Sequence, residues 1–323
     1  MQPLVEPLAQ QHGVELFVAR IDTLHPVVSG NKLFKLVPNI DAARKSGYNT
    51  LLSFGGFWSN HIHALAYAGK ACDMATVGVI RGHPGQRLSA TLEDARRWGM
   101  TLRFVGREDY RRRHDAAWVQ AMASEYDKAC VLPEGGSNAL AVSACTGINS
   151  LLGDNSFDTA VVALGTGATA AGLLRGSPAF GRVLAVSSLK GPGDSRQRLI
   201  DFAGPQARTP FELLTDYHFG GYGRVNRQLV DFMLAFYQRH QLVLDPVYTA
   251  KAFFGAYQYL AAGKFKAGEK VLLLHTGGLQ GLRGFTDKWP ELRPLAAVCN
   301  SDSVNSLQTG TAVNNLCHTV GQG

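Results

Sequence analysis

The chain has 323 residues, of which 46% are hydrophobic and 18% charged, a composition typical of a globular protein large enough for two lobes. It contains no run of 18 apolar residues and no basic, apolar leader, so we expect neither a membrane span nor a signal peptide. The net charge of +7 raises the question of nucleic acid, but the basic residues are dispersed apart from the arginines at 111–113. We interpret that run as a solvated face, with attraction of an anionic substrate as the alternative, and expect no nucleic-acid partner.

The five cysteines are scattered along the chain and show no Cys-x-x-Cys spacing: Cys72, Cys130, Cys145, Cys299 and Cys317. An odd and dispersed set argues against a disulfide framework and against a zinc site, and it favours a reducing compartment. We therefore expect a cytoplasmic protein without a metal, in which these residues serve as small apolar side chains.

Short apolar runs that end at glycine or histidine alternate with segments of helical periodicity. The runs predict strands at 50–54, 76–80, 102–105, 159–164 and 270–274, and the periodic segments predict helices at 88–98, 116–129 and 225–240. Strands that alternate with helices favour an α/β protein with mostly parallel sheets covered on both faces. After about residue 286 the periodicity fades, and 291–323 is predicted to be a loosely structured C-terminal tail.

A loop rich in glycine and threonine follows the fourth predicted strand and opens a helix: Gly165, Thr166, Gly167, Ala168 and Thr169. Backbone N–H groups and the helix dipole converge at such a point, so the loop is predicted to bind phosphate. It lacks the Gly-Lys-Ser/Thr of a Walker loop and is a poor dinucleotide fingerprint. A tight packing turn is the alternative interpretation.

Lys32 and Lys35 lie three residues apart and share a face if their segment is helical. A lysine that forms a Schiff base reacts best beside positive charge or when desolvated, and Lys35 could supply that charge while neutralising a phosphate. Taken alone, two such lysines are more often surface residues. Likewise, Ser59 or Asn60 could be a plain helix cap, although Gly55-Gly56 and two aromatic residues precede them and favour close approach to a flat ligand.

Two tyrosines in glycine- or proline-marked turns, Tyr222 and Tyr248, and the strand end His275-Thr276-Gly277-Gly278 complete the set. A reactive lysine, a phosphate loop and nearby proton-handling hydroxyls together predict a pyridoxal-phosphate enzyme.

Five motifs, in order, carry a resemblance to a known family. They are Gly30-Asn31-Lys32-x-x-Lys35-Leu36, Gly55-Gly56-x-x-Ser59-Asn60-His61, Gly135-Gly136-Ser137-Asn138, Asp245-Pro246-Val247-Tyr248-Thr249-x-Lys251 and His275-Thr276-Gly277-Gly278. Between about residues 17 and 285 the chain resembles the 1-aminocyclopropane-1-carboxylate deaminase and D-cysteine desulfhydrase family. The resemblance implies bound pyridoxal 5'-phosphate, a homodimer, and the two-domain fold type II of the tryptophan synthase β-subunit. It further implies a larger cofactor domain of 1–45 plus 148–290 and a smaller α/β domain of 46–147.

The resemblance also implies roles for single residues. Lys32 would form the Schiff base and Lys35 would partner the phosphate, while Asn60 would contact the cofactor's ring hydroxyl or phosphate. Ser59, Tyr222 and Tyr248 would handle protons near the substrate. The phosphate loop matches the family's, with Leu164 and Ala168 in place of the commoner serine and glycine.

Position 249 distinguishes the two branches of the family. Deaminases carry glutamate after the second tyrosine, where it meets the pyridine nitrogen, whereas this chain has Thr249 and, in the later turn, Thr276, as desulfhydrase-like members do. A hydroxyl makes the ring a weaker electron sink than a carboxylate does, and a weaker sink suffices to expel a good β-leaving group. The resemblance therefore favours α,β-elimination from a small amino acid, giving a 2-keto acid and ammonia.

Two alternatives stay open at this point. One is deamination of 1-aminocyclopropane-1-carboxylate, and the other is a non-catalytic protein that keeps the cofactor fold. Two departures from the family, Phe57-Trp58 and Leu279-Gln280-Gly281, flank the expected pocket and bear on which substrate is accepted.

Overall fold

The computed structural model describes residues 1–176, 179–191 and 193–299. The chain divides into two compact units. The first comprises Met1–Leu24, Ser29–Asn31 and Val142–Cys299, and the described part of the second comprises His25–Val28 and Lys32–Ala141. Among the described residues no helix is long and apolar enough to cross a membrane.

The strands in chain order are β1 (Gln2–Leu4), β2 (Glu15–Ala19), β3 (Thr50–Gly55), β4 (Ala75–Arg81), β5 (Thr101–Val105), β6 (Ala129–Val131), β7 (Phe157–Leu164), β8 (Phe180–Ser187), β9 (Phe211–Leu214) and β10 (Lys270–Leu274). The α-helices are α1 (Pro7–Gln11), α2 (Asn31–Lys45), α3 (Asn60–Ala71), α4 (Ala90–Arg97), α5 (Arg107–Arg111), α6 (Ala116–Ala123), α7 (Ala139–Cys145), α8 (Gly147–Ser150), α9 (Ala168–Arg175), α10 (Gly193–Ala203), α11 (Arg227–His240) and α12 (Thr249–Ala261). Helical backbone also covers residues 293–299.

The first unit is built on a six-stranded sheet of order β1-β2-β10-β7-β8-β9. Every pairing is parallel except that of β1 with β2. Its core includes Val18, Val161, Leu184, Leu273 and, from α12, Phe253. Strands such as β7 and β10 are nearly continuous apolar runs because helices cover both faces of a parallel sheet.

The second unit is built on a parallel four-stranded sheet of order β5-β4-β3-β6. Strand β3 shows how its two faces are covered, since successive side chains of a strand point to opposite sides. Leu51 packs in one cluster with Leu36 and Ile62, while Leu52 packs in another with Met122. Every residue of β3 is buried as a result.

These observations confirm the predicted α/β class with mostly parallel sheets and all five predicted strands. The predicted helix at 116–129 ends earlier, at Ala123, because β6 begins at Ala129 and pairs with β3. Helix α2 contains Pro38 in its interior, and because proline has no N–H, the carbonyl of Phe34 lacks its usual backbone donor.

Two boundaries predicted from the sequence, the end of the first segment of the larger domain and the start of the tail, differ from the packing of the cores. The predicted larger domain ran to residue 45, but Leu36, Ile40 and Ala43 of α2 pack with the second unit's core. In the predicted tail, Leu292, Leu295 and Ala296 are buried in the first unit's core. The rest of that tail, 300–323, lies outside the described residues.

Candidate active site

The predicted phosphate loop joins β7 to α9 in the first unit. Gly167, which precedes α9, has φ of 101° and no side chain caps the helix there. An α-helix leaves its first N–H groups without intrahelical partners, and these groups favour an anion. These N–H groups at the start of α9 could face an anion, and phosphate binding by the loop stays a prediction.

Asn31 connects this loop to the turn after β10. Its side-chain amide donates to Thr169 Oγ1 at 2.8 Å, and its backbone N–H donates to the Thr276 carbonyl at 3.3 Å. Gly30, with φ of 63°, lies against the same turn, and a Cβ there would overlap the Thr276 carbonyl. Asn31, which makes these hydrogen bonds within the first unit, is also the first residue of α2.

In the second unit, Lys32 and Lys35 are the second and fifth residues of α2, so they lie on one face of the helix, as predicted if this segment is helical. Lys35 is buried and its Nζ donates to Ser137 Oγ at 3.1 Å, whereas Lys32 is half-buried. One residue further on, the amide of Asn138 donates to Asn39 Oδ1 at 2.6 Å. The Gly-Gly-Ser-Asn motif is thus the packing partner of α2, a role that sequence spacing did not reveal.

His61 is a buried base beside these lysines. Ser53 Oγ donates to the Leu132 carbonyl at 2.9 Å, so it accepts from His61 Nε2–H at 2.8 Å. This assigns the neutral tautomer, in which Nδ1 carries a lone pair. Burial, with the positive charges of Lys32 and Lys35 adding to it, lowers the pKa of His61 to about 3. His61 therefore stays uncharged at neutral pH and does not add to the positive charge around Lys32.

Ser59 and Asn60 stand at the start of α3. Ser59 caps the helix by accepting from the Ile62 N–H at 3.2 Å, which is the plain structural role considered from the sequence. Gly55 is required by this packing, because a Cβ there would meet Ser59 Oγ at 2.7 Å. The side chain of Phe57 packs against Phe104 with ring centroids 6.0 Å apart, so this aromatic residue contributes to the second unit's own packing.

Tyr222 and Tyr248 come together in the first unit. Their ring centroids are 6.0 Å apart with an interplanar angle of 65°. Tyr248 precedes α12, and a Cβ on Gly165 would lie 2.8 Å from its ring, so the tyrosine rests on the start of the phosphate loop. Phenol hydroxyls can serve as proton donors and acceptors.

Thr249 is fully buried and its hydroxyl is engaged with Asp245. Thr249 Oγ1 accepts from the Asp245 N–H at 2.8 Å and donates to Asp245 Oδ1 at 2.9 Å. The same carboxylate accepts from the N–H groups of Val247, Tyr248 and Thr249, while burial raises its pKa. In this arrangement the single proton of Thr249 is used within the turn. The contact with the cofactor ring that the resemblance implies is untested, and this hydroxyl has no second proton to donate to the ring.

Thr276 lies in a turn held by His275. His275 Nε2–H donates to the Val243 carbonyl at 2.7 Å, and its Nδ1 accepts from the Gly277 N–H at 3.3 Å. Gly277 and Gly278 both have positive φ, and a short 3-10 helix over Leu279–Gly284 follows them. Of the departures noted after this turn, Gly281 is buried while Leu279 packs against the core.

Substitutions of Thr249 and Thr276 are expected to have different effects. We expect Thr249→Val to lower the free energy of unfolding by about 1–3 kcal/mol, because it leaves the buried Asp245 N–H without its acceptor. The visible absorption of the bound cofactor should stay unchanged. Thr276→Val should instead shift that absorption with a smaller loss of stability. Urea unfolding and absorption spectra of both variants check this, and a spectral shift confined to Thr249→Val would contradict it.

Comparison with known proteins identifies the family. The model of the family described as "Pyridoxal-phosphate dependent enzyme" matches residues 2–277. The chain belongs to this family. It is therefore a pyridoxal-phosphate dependent enzyme, and its cofactor is pyridoxal phosphate.

Individual members of the family that resemble this chain carry two activities in their names. A Thermotoga maritima protein named "Putative 1-aminocyclopropane-1-carboxylate deaminase" is 32% identical over 85% of this chain and 92% of its own length. An Arabidopsis thaliana protein named "Bifunctional D-cysteine desulfhydrase/1-aminocyclopropane-1-carboxylate deaminase, mitochondrial" is 30% identical over 87% of this chain and 76% of its own length. The solved structure of an ACC deaminase homologue, 25% identical, superposes with a TM-score of 0.78 over 90% of this chain and 92% of its own.

The described residues fit pyridoxal phosphate. The glycine-led start of α9 suits the phosphate group, and Gly165 leaves room where a side chain would meet Tyr248. The two lysines near the start of α2 suit an aldehyde and an anion. Their assignment to the cofactor stays a prediction.

Proposed function

We propose that this enzyme catalyses α,β-elimination from a small D-amino acid of the D-cysteine type. For D-cysteine, the Cα–H and Cβ–S bonds break, and hydrolysis with one water gives pyruvate, ammonia and hydrogen sulfide. The bound cofactor would supply the electron sink that makes the Cα proton acidic. Lys32 would hold the cofactor covalently, and Lys35, Asn60 and the loop Gly165, Thr166, Gly167, Ala168 and Thr169 would bind it.

The main support for this proposal is the type of residue at position 249. A carboxylate there would keep a pyridine nitrogen protonated, but this chain has a threonine. The nearest carboxylate in that turn, Asp245, is 1% exposed and accepts from three backbone N–H groups and the Thr249 hydroxyl. Because this carboxylate is hydrogen-bonded within its own turn, it would not keep the pyridine nitrogen protonated. The cofactor ring would then be a weaker electron sink, which suffices when the β-substituent leaves readily.

The side chains proposed to move protons are Ser59, Tyr222 and Tyr248. The two tyrosine rings lie together, and Tyr248 rests on Gly165, which supports placing a phenol hydroxyl beside the substrate carbon. Ser59 Oγ accepts from the Ile62 N–H, so its own proton is directed away from that bond. This orientation supports a role for Ser59 as a hydrogen-bond donor to the substrate.

The second candidate function is deamination of 1-aminocyclopropane-1-carboxylate. It is supported by the names of the Thermotoga maritima and Arabidopsis thaliana proteins. The bifunctional name of the latter shows that one protein of this kind carries both activities.

A substrate panel decides between these reactions. We expect keto-acid release to be faster from D-cysteine and β-chloro-D-alanine than from their L-enantiomers or from 1-aminocyclopropane-1-carboxylate. Trp58, next to Ser59, is expected to favour small substrates. Faster release of 2-oxobutyrate from 1-aminocyclopropane-1-carboxylate than of pyruvate from every D-amino acid would overturn the proposal in favour of the second candidate.

We also propose that the enzyme is a cytoplasmic homodimer. The dimer rests on the family resemblance, and the compartment rests on the scattered, odd-numbered cysteines. Light scattering on the purified protein checks the first of these, and fractionation of cells that express it checks the second.

A further inference from the structure

Lys251 is a buried cation that none of the roles above uses. It is the third residue of α12, has no exposed surface, and lies three residues after Tyr248. A positive charge near a helix N-terminus opposes the helix dipole, and a buried ammonium is costly unless it is fully hydrogen-bonded. A lysine in this position therefore needs specific partners.

Those partners are two main-chain carbonyls of one loop. Lys251 Nζ donates to the His218 carbonyl at 3.0 Å and to the Gly221 carbonyl at 2.9 Å. Burial lowers the pKa of Lys251 to about 8, and the Asp245 carboxylate acts in the opposite direction. At neutral pH the group is accordingly still a cation, and charge-assisted hydrogen bonds are stronger than neutral ones.

The loop that Lys251 holds is the one that carries Tyr222. Gly220, Gly221 and Gly223 all have positive φ, which glycine adopts readily. Glycine has many other accessible conformations, so these residues do not by themselves fix the backbone of the loop. Tyr222 itself is 46% exposed, so packing alone does little to fix it. Its ring meets that of Tyr248, which immediately precedes the helix that contains Lys251.

We infer that Lys251 is a positioning residue, which holds the glycine-rich loop at 218–223 so that Tyr222 stays against Tyr248. Lysine suits this task because one ammonium group donates to two carbonyls at once. Its backbone lies at the start of α12, three residues after Tyr248. The inference rests on the proposed role of Tyr222 in proton transfer.

The test replaces Lys251 with methionine, which keeps much of the volume and removes the donors. We expect kcat on the best substrate of the panel to fall about 10- to 100-fold, because small displacements of a reacting group have effects of this size. KM and cofactor content should change little. Amide hydrogen exchange of a peptide that spans 217–224 should become faster. Lys264→Met is the matched control, since Lys264 is an exposed lysine just beyond the same helix and should leave all four quantities unchanged.

A double variant separates positioning from a general loss of structure. If Lys251 acts through Tyr222, adding Lys251→Met to Tyr222→Phe should lower kcat less than about threefold further, whereas independent effects would multiply. Multiplied effects would overturn the inference. So would a Lys251→Met enzyme whose kcat and loop exchange match the wild type.

Lys251→Gln covers the case in which Lys251→Met does not fold. Glutamine keeps a neutral donor group. We therefore expect Lys251→Gln to lower kcat less, and to increase amide hydrogen exchange of the loop less, than Lys251→Met does. Faster exchange of the loop with unchanged kcat would contradict the inference. If the wild type releases no keto acid from D-amino acids, the proposed function fails, while hydrogen exchange still tests whether Lys251 holds the loop.

Discussion

Lys32→Ala is expected to lower activity by about a thousandfold or more, because it removes the primary amine that we propose holds the cofactor covalently. We propose Lys32 rather than its neighbours for this attachment. Lys35 is buried with its Nζ donating to Ser137, and Lys251 is committed to two backbone carbonyls, whereas Lys32 is half-buried in the first turn of α2.

Borohydride reduction followed by peptide mapping measures the attachment directly. The label should lie on Lys32 in the wild type and be absent from Lys32→Ala, while the phosphate loop still binds the cofactor non-covalently. Lys45→Ala is the matched control, since Lys45 lies in the same helix, is 67% exposed and pairs with Asp41. A label on Lys35 or on any other lysine of the wild type would show that the assignment of Lys32 is wrong.

Gly30→Ala is expected to lower the free energy of unfolding by about 3 kcal/mol or more, through backbone strain and overpacking together. Gly30 has φ of 63°, and a methyl group there would overlap the main-chain carbonyl of Thr276, which cannot rotate away as a side chain would. Because Gly30 lies two residues before Lys32, the displaced backbone should also reduce covalent attachment of the cofactor.

Gly47→Ala isolates the contribution of backbone strain. Gly47 has a similar φ of 75°, but nothing lies within 4 Å of a Cβ at that position. Gly47→Ala should lower the free energy of unfolding by only about 1–2 kcal/mol and leave the covalent attachment of the cofactor intact. Urea unfolding and borohydride labelling of both variants make the comparison. Equal destabilisation by the two substitutions would show that the contact between Gly30 and Thr276 is unimportant.

How far the sequence predicts this fold depends on how each strand is buried. Strands covered on both faces, such as β7 and β10, are nearly continuous apolar runs, and their alternation with helices predicted the parallel sheets. By contrast, β8 and β9 carry Arg182 and Glu212, which pair with each other across the sheet at 3.7 Å. Charged residues in a strand break the apolar run, so the sequence did not single out either strand.

The sequence by itself determined the family and the candidate cofactor residues, because those depend on residue types at fixed local spacing: a lysine pair three residues apart, glycines before a helix, and hydroxyls at strand ends. Tertiary structure decided which partners each of these side chains has. It commits the Thr249 hydroxyl to Asp245, keeps His61 neutral beside Lys32, and joins Lys251 to the Tyr222 loop. These contacts span as many as 33 residues or bury polar groups that sequence patterns present as ordinary. Burial and hydrogen-bond geometry exist only once the chain is folded.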